Sequence, residues 1–312
     1  MSNTSIADLG IIFNNVQWYF QHIILPICFV LGNIGNCLNL IILSQRSSRS
    51  NSCLLYFLSA SIVNIFILNF GLVLRILRGI WNIDPSTKFL WFCRWRTYLI
   101  STLFLIYRCS ILLACIDRMC ASSRSACMRT TSRSQVAYRL IAINWILCCV
   151  YFIPTLVFPV IIYGQCLAPP GTTYATFLTI STLAQGLFIP LFMILYGLIT
   201  LGHLKLMQSH VMPMTFNVNN ERRVIGQFLI MLFVQVGTDC LCNSFYLFYL
   251  IYNLIFSSPQ MAPISVISSF LSSMSFNVPY LNYSAAFYLY TLSSPTFRRK
   301  VLRLMRQITW FQ

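Results

Sequence analysis

Residues 93–118 read CRWRTYLISTLFLIYRCSILLACIDR. Cys93 opens this run and Asp117-Arg118 close it, 25 residues on. A helix rises about 1.5 Å per residue, so the run covers roughly 37 Å, slightly more than a bilayer crossing. Arg108 lies ten residues before Arg118, which puts it roughly 15 Å into that span. The stretch therefore reads as one apolar helix with a cysteine at one face, an acid-arginine pair at the other, and a charge inside.

The surrounding chain carries the same message. Of 312 residues, 58% are hydrophobic and only 8% charged, far below the roughly 25% with which a soluble domain covers its surface. Residues 140–202 and 240–297 contain no acid, lysine, arginine or histidine, and each block is long enough for about two helical crossings. Seven candidate spans follow, near 17–44, 52–79, 91–121, 137–163, 173–204, 223–254 and 263–291. The blocks are apolar all round and lack the short alternation of a membrane barrel, so helices are expected. No internal repeat is evident. The expected fold is an all-α membrane protein, a seven-transmembrane helix bundle with a short amphipathic eighth helix. Its parts are an extracellular tail (1–16), the bundle (17–293) and an amphipathic cytoplasmic helix with a tail (294–312).

Basic residues fix the orientation. Arg46, Arg49, Arg124, Arg129, Arg133, Arg222, Arg223, Arg298, Arg299, Lys300, Arg303 and Arg306 all fall on one side if there are seven crossings. That side is cytoplasmic, which leaves the amino terminus outside and the chain multi-pass in the plasma membrane. The first 16 residues lack a basic start and an early apolar core, so a cleaved signal peptide is not expected and the first span serves as the insertion signal. Asn3-Thr4-Ser5 is a glycosylation sequon on the outer side. The net charge of +16 reads as the positive-inside signal facing anionic lipid rather than as a nucleic-acid surface.

Most of the thirteen cysteines fall within apolar spans, where they act as small hydrophobes. Cys93 and Cys166 are the two at outer ends or in outer loops, and only they meet an oxidising compartment. A bridge between them would tie the loop after span four to the top of span three; the alternative is two free thiols. Cys240-Leu241-Cys242 has no metal-ligand partners in sequence and reads as packing.

Taken in order, these features resemble rhodopsin-like G protein-coupled receptors over nearly the whole chain. Gly35-Asn36 with Leu38-Asn39-Leu40 is similar to the family's first-helix motif, and Trp81 precedes Cys93 as its first outer loop would. Trp145 and Pro154 stand where its fourth helix carries those residues, Pro190 resembles its fifth-helix proline, and Tyr290 and Phe297 resemble its end of helix seven and start of helix eight. The departures mark a divergent member, resembling invertebrate peptide-type receptors. Met119 follows the arginine where tyrosine is usual. Ser61, Ile62 and Asn64 replace the second-helix acid, span six has no proline, and the seventh-helix asparagine-proline pair is gone.

The resemblance implies that Asp117, Arg118 and Tyr290 serve G protein coupling, with Arg118 facing the cytoplasmic cavity. The plainer alternative is a helix end with basic side chains snorkelling to headgroups. Intramembrane charges are expensive and usually paired. Asp239 is the only acid deep inside a span, so a buried Arg108–Asp239 ion pair is expected between helices three and six; otherwise each has its own water or backbone partner. The outer mouth is basic, and Arg75, Arg78, Arg96 and Tyr280 are the candidate lining of a ligand pocket that an acidic or amidated peptide would enter; snorkelling is again the alternative. Ile100 stands where amine receptors place an aspartate, and no lysine lies in span seven for a retinal Schiff base. Phe297, Val301, Leu304, Met305 and Ile308 recur at helical spacing among basic residues, as in a helix lying on a membrane surface.

The expected partners are an extracellular ligand, a heterotrimeric G protein and the lipid bilayer. No cofactor or metal is expected. Scattered acids and histidines form no nucleophile-base constellation, so an enzyme is not expected. The rival readings are a seven-helix chemosensory receptor with unconventional coupling and, behind it, a transporter or channel.

Overall fold

A computed structural model describes residues 3–123, 125–162, 164–169, 171–209, 216–255 and 262–309. Side chains are described for these except 3–7, 47, 207–209, 216–225, 253–255, 262–265 and 307–309. In chain order the helices are α1 (Asn3–Tyr19), α2 (Leu25–Leu43), α3 (Arg46–Arg49), α4 (Ser52–Phe66), α5 (Val73–Trp81), α6 (Leu90–Ser122), α7 (Ala126–Thr131) and α8 (Ser134–Tyr151). After the strands β1 (Val160–Ile162) and β2 (Gln165–Leu167) come α9 (Thr173–Ser209), α10 (Phe216–Ile255), α11 (Ala262–Asn277), α12 (Pro279–Ser293) and α13 (Pro295–Thr309). Wide π turns at Phe20–Ile24 and Ile67–Leu72 join α1 to α2 and α4 to α5 without ending the helix.

Among the described residues, six helical stretches are long and apolar enough to cross a membrane: Asp8–Leu43, Ser52–Trp81, Leu90–Ser122, Ser134–Tyr151, Thr173–Leu206 and Gly226–Tyr252. The chain is thus an all-α, multi-pass membrane protein by length and composition. The expected seventh stretch is two helices in series. Pro279 begins α12 and brings no backbone N–H to the turn at Val278, so α11 and α12 have only 16 and 15 residues, each short of the roughly 20 that span a bilayer. The fourth stretch also ends early, at Tyr151 rather than near residue 163. Pro154 sits in a short 3-10 turn, and the apolar residues beyond it form an antiparallel hairpin that pairs Ile161 with Cys166. Residues 3–16, read from sequence as a tail, are helical.

The long helix α6 is central and packs against α4, α8, α9 and α10. Helices α2 and α12 approach closely because Gly32 and Gly35 carry no side chain. A Cβ on Gly32 would lie 2.8 Å from Leu68 and 2.9 Å from Ser284, and one on Gly35 would lie 2.9 Å from Phe287. At that contact Asn36 Nδ2 donates to the Tyr283 carbonyl at 3.0 Å, and Asn36 Oδ1 accepts from Asn64 at 3.3 Å. One asparagine therefore ties α2, α4 and α12. Trp145 Nε1 donates to Ser59 Oγ at 3.1 Å and fastens α8 to α4. Apolar residues such as Ile12, Leu147, Leu191 and Phe248 point outward, as lipid contact requires.

The last helix, α13, is fixed at its start. Phe297 is buried against Phe287 and Tyr290, while Val301 and Leu304 pack on the core. Lys300 Nζ donates to Ser48 Oγ at 2.8 Å, and Thr296 donates to Gln227 of α10. Burial, followed by repulsion from Arg303, holds the Lys300 ammonium below its ordinary pKa. Leu302 and Met305 are exposed. Ile308, Arg222, Arg223 and the sequon's Asn3 fall outside the described side chains.

Candidate functional site

Among the described residues, two polar clusters contain buried charges, one deep within the bundle and one at the Asp117-Arg118 end of α6. The deep one lies between α6, α10 and α12. Arg108 Nε and Asp239 Oδ2 face each other at 4.0 Å, with the residues 8% and 3% exposed. That distance is an ion pair and too long for a direct hydrogen bond. Both atoms lack a hydrogen-bond partner among the described residues. The rest of each group is better served. The Arg108 guanidinium donates to Asn243 Oδ1, and Asn243 in turn donates to the Asp239 carbonyl at 2.7 Å. Asp239 Oδ1 accepts from Asn282 at 2.9 Å. Gln235 donates to Asn282 Oδ1 at 2.8 Å and to the Tyr107 hydroxyl at 2.6 Å. The ion pair is the charged centre of a network that joins three helices.

Why the chain places these groups together is visible along α10. Gln235, Asp239 and Asn243 are four residues apart, so they stand above one another on one face of the helix. That face meets Arg108 and Tyr107 of α6. Asn282 lies three residues beyond Pro279, just past the break between α11 and α12, and reaches the same carboxylate. Edge-on packing of Tyr283 against Tyr107, with ring centroids 4.9 Å apart, seals the network from one side. Asn243, Asn282, Gln235 and Tyr107 were not singled out from sequence. The four-residue polar spacing on α10 is the signal that would have found two of them.

The second cluster sits at the other end of α6, from Arg118 to Ser132. Arg118 is 4% exposed and its neighbour Asp117 6%. Arg118 Nε donates to Asp117 Oδ2 at 3.0 Å, and a terminal nitrogen makes a second bond to the same oxygen. That terminal nitrogen also reaches Ser52 Oγ of α4 at 3.3 Å. Ser132, past α7, donates to Asp117 Oδ1 at 2.8 Å. The guanidinium carbon lies 5.8 Å from the centre of the Phe228 ring on α10, within reach of a cation–π attraction. Arg118 is thus folded inward and engaged by α4, α6, α10 and, through Asp117, the loop around Ser132. Tyr290 is fully buried, packed on Phe57 at 4.9 Å and on Phe297 at 6.0 Å between centroids. Its hydroxyl has no hydrogen-bond partner among the described residues.

At the opposite end, Cys93 and Cys166 form a disulfide with Cα atoms 5.6 Å apart. It anchors the β1–β2 hairpin to the first turn of α6. The residues expected to line a pocket lie near one another: Arg75 shares a side-chain hydrogen bond with Tyr280 and is within electrostatic reach of Arg96 and Arg78. Arg78 and Arg96 converge on Asp84 at 3.6 and 3.5 Å. Arg75 lies over the Phe276 ring at 4.8 Å. Tyr280 is buried, with its hydroxyl closing over Gly71 in the π turn. Asp84 also accepts from the Ser86 amide at 3.0 Å. Burial raises its pKa, but the Ser86 hydroxyl, Arg96, the Ser86 amide and Arg78 together outweigh that and hold it below the usual carboxylate range.

No protein-family model and no curated protein matches the chain. The functional reading therefore rests on the geometry of these clusters. Among the described residues, no three of the histidines, cysteines and acids gather closely enough to hold a metal ion.

Proposed function

We propose that the chain is a divergent rhodopsin-like receptor of the plasma membrane, which binds an extracellular ligand and activates a heterotrimeric G protein. In this reading α11 and α12 make the seventh crossing in two pieces, α13 lies along the inner leaflet as an eighth helix, and the amino terminus is outside. The observation that carries the proposal is α6 itself. A single 33-residue helix holds a disulfide-tethered hairpin at one end and a buried, multiply engaged arginine at the other. An arginine held inward by Asp117, Ser52 and Phe228 is what a resting coupling site requires, since release of those contacts would present the cation to a partner.

The ligand is proposed to be a peptide with an acidic group. Arg78 and Arg96 are held by Asp84, so such a ligand would compete with that carboxylate for them. Reconstitution in lipid vesicles with a purified G protein heterotrimer tests coupling directly. Nucleotide exchange above that of empty vesicles, lost in Arg118→Ala, is the expected result. Exchange no faster than with empty vesicles, across a panel of acidic peptides, would refute it.

A second reading, a seven-helix chemosensory receptor that couples differently, draws on one observation. The unbroken α10 has no proline, and the break in the bundle lies at Val278–Pro279 instead. A transporter or channel finds little support, because Arg108 and Asp239 neutralise each other in place.

A further inference from the structure

The segment after α6 brings one hydroxyl to the Asp117–Arg118 cluster. Ser132 Oγ donates to Asp117 Oδ1 at 2.8 Å and lies 3.1 Å from Ser52 Oγ, the same oxygen that accepts from Arg118 at 3.3 Å. Ser132 thereby closes a ring of four side chains. The sequence around it reads Arg129-Thr130-Thr131-Ser132-Arg133. Both arginines and residues 125–131 are exposed, while Ser132 is half-buried. Basic residues three before and one after a serine are a charge pattern of the kind by which kinases choose substrates. The six-residue helix α7 that carries Arg129 is too short to be stable alone, so the segment can leave its seat and enter a kinase groove.

We infer that Ser132 is a phosphorylation site for an arginine-directed protein kinase, and that the phosphate opens the Asp117–Arg118 cluster. In the transfer, Ser132 Oγ attacks the γ-phosphorus of a nucleoside triphosphate. The new O–P bond forms as the bond to the β,γ-bridging oxygen breaks. The diphosphate leaves with that electron pair, and the serine proton passes to the kinase's carboxylate base. The product no longer has the proton that Ser132 gave to Asp117. It carries a charge of about −1.5 to −2 and three acceptor oxygens. Held against the Asp117 carboxylate it is repelled, and it competes for Arg118. Either the loop lifts away or Arg118 leaves Asp117 for the phosphate; both dismantle the ring.

The inference rests on the proposed orientation, with residues 123–134 in the cytoplasm. Cys127, exposed in the same segment, reports on that separately. A membrane-impermeant maleimide should label Cys127 only after cells are permeabilised, with Cys127→Ala as the control. Labelling of intact cells would place the loop outside and overturn a cellular kinase as the donor.

The phosphorylation itself is tested on the full chain in lipid nanodiscs with ATP, an arginine-directed kinase and peptide mapping, followed by amide hydrogen exchange over 125–134. The expected result is phosphate on Ser132, absent in Ser132→Ala, and exchange about tenfold faster, as the loss of a hydrogen bond to a charged acceptor implies. Ser132→Asp supplies a second arm without kinase and should also speed exchange. A bare Ser132, whether or not Ser125 or Ser134 is modified, overturns the site. Phosphate on Ser132 with unchanged exchange overturns the opening.

Discussion

Asp239→Asn removes the negative half of the buried pair while keeping the shape of the side chain. At 4.0 Å, with an effective dielectric of about 20, the lost attraction is about 4 kcal/mol. Measured losses on breaking one partner of a buried pair, about 3–5 kcal/mol, agree with that figure. The variant leaves Arg108 buried, with Asn243 Oδ1 as its remaining acceptor. Arg108→Gln strands the carboxylate in the same way. For a chain of this size about 1 kcal/mol moves the melting temperature by roughly 2 °C. Each single variant should therefore unfold about 8 °C below the parent in detergent micelles followed by tryptophan fluorescence. The double variant should lose little more than either single one, because no charge is then left unpaired. A double variant that falls by the sum of the two single losses would refute a direct Arg108–Asp239 interaction.

Other elements give independent expectations. Cys166→Ser opens a link across 73 residues, worth about 4 kcal/mol on loop-closure grounds, and the β1–β2 hairpin should become protease-sensitive without reductant. Asn36→Leu removes the bonds to Tyr283 and Asn64, and should lower stability by about 1–3 kcal/mol in the same melting assay. Asp84 contributes in a pH-dependent way. Its folded pKa is depressed, so its stabilisation is complete above the unfolded value of about 3.9 and is lost as pH falls through the lower folded value. Hydrogen exchange of residues 82–89 should quicken below about pH 4 in the parent, whereas Asp84→Ala should be fast at every pH.

The sequence carried the membrane class because its long apolar blocks are separated by short polar and basic stretches, and that pattern depends on composition rather than on tertiary detail. The Arg108–Asp239 contact was legible for a related reason: a charge in lipid must find an opposite charge, and the spans offered few. Uncharged members of the same network were harder to see. Gln235 and Asn243 flank Asp239 at helical spacing, but Tyr107 and Asn282 join only when α6, α10 and α12 are assembled. Apolar composition also misled at two prolines. It does not distinguish a helix from a short strand, so the apolar fourth block continues past Pro154 into a hairpin, and the seventh block continues through Pro279, where α12 begins. Around Asp84 the basic charge was legible, and the acid it pairs with was not. Arg78 and Arg96 turn to Asp84 because the turn at Pro85–Thr87 presents that carboxylate between them. Ser132 lies fifteen residues from Asp117, a distance that no helical periodicity bridges.

Freeing Arg118 from Asp117 is the sharpest test of coupling through this arginine. Asp117→Asn weakens the charge-assisted contacts that hold the guanidinium inward, by about 1.5–3 kcal/mol. Basal G protein activation in cells, at matched surface level, should then rise about tenfold or more over the parent. Asp117→Asn with Arg118→Ala should return to the level of untransfected cells. A double variant as active as Asp117→Asn alone, or no rise in the single variant, would contradict coupling through Arg118.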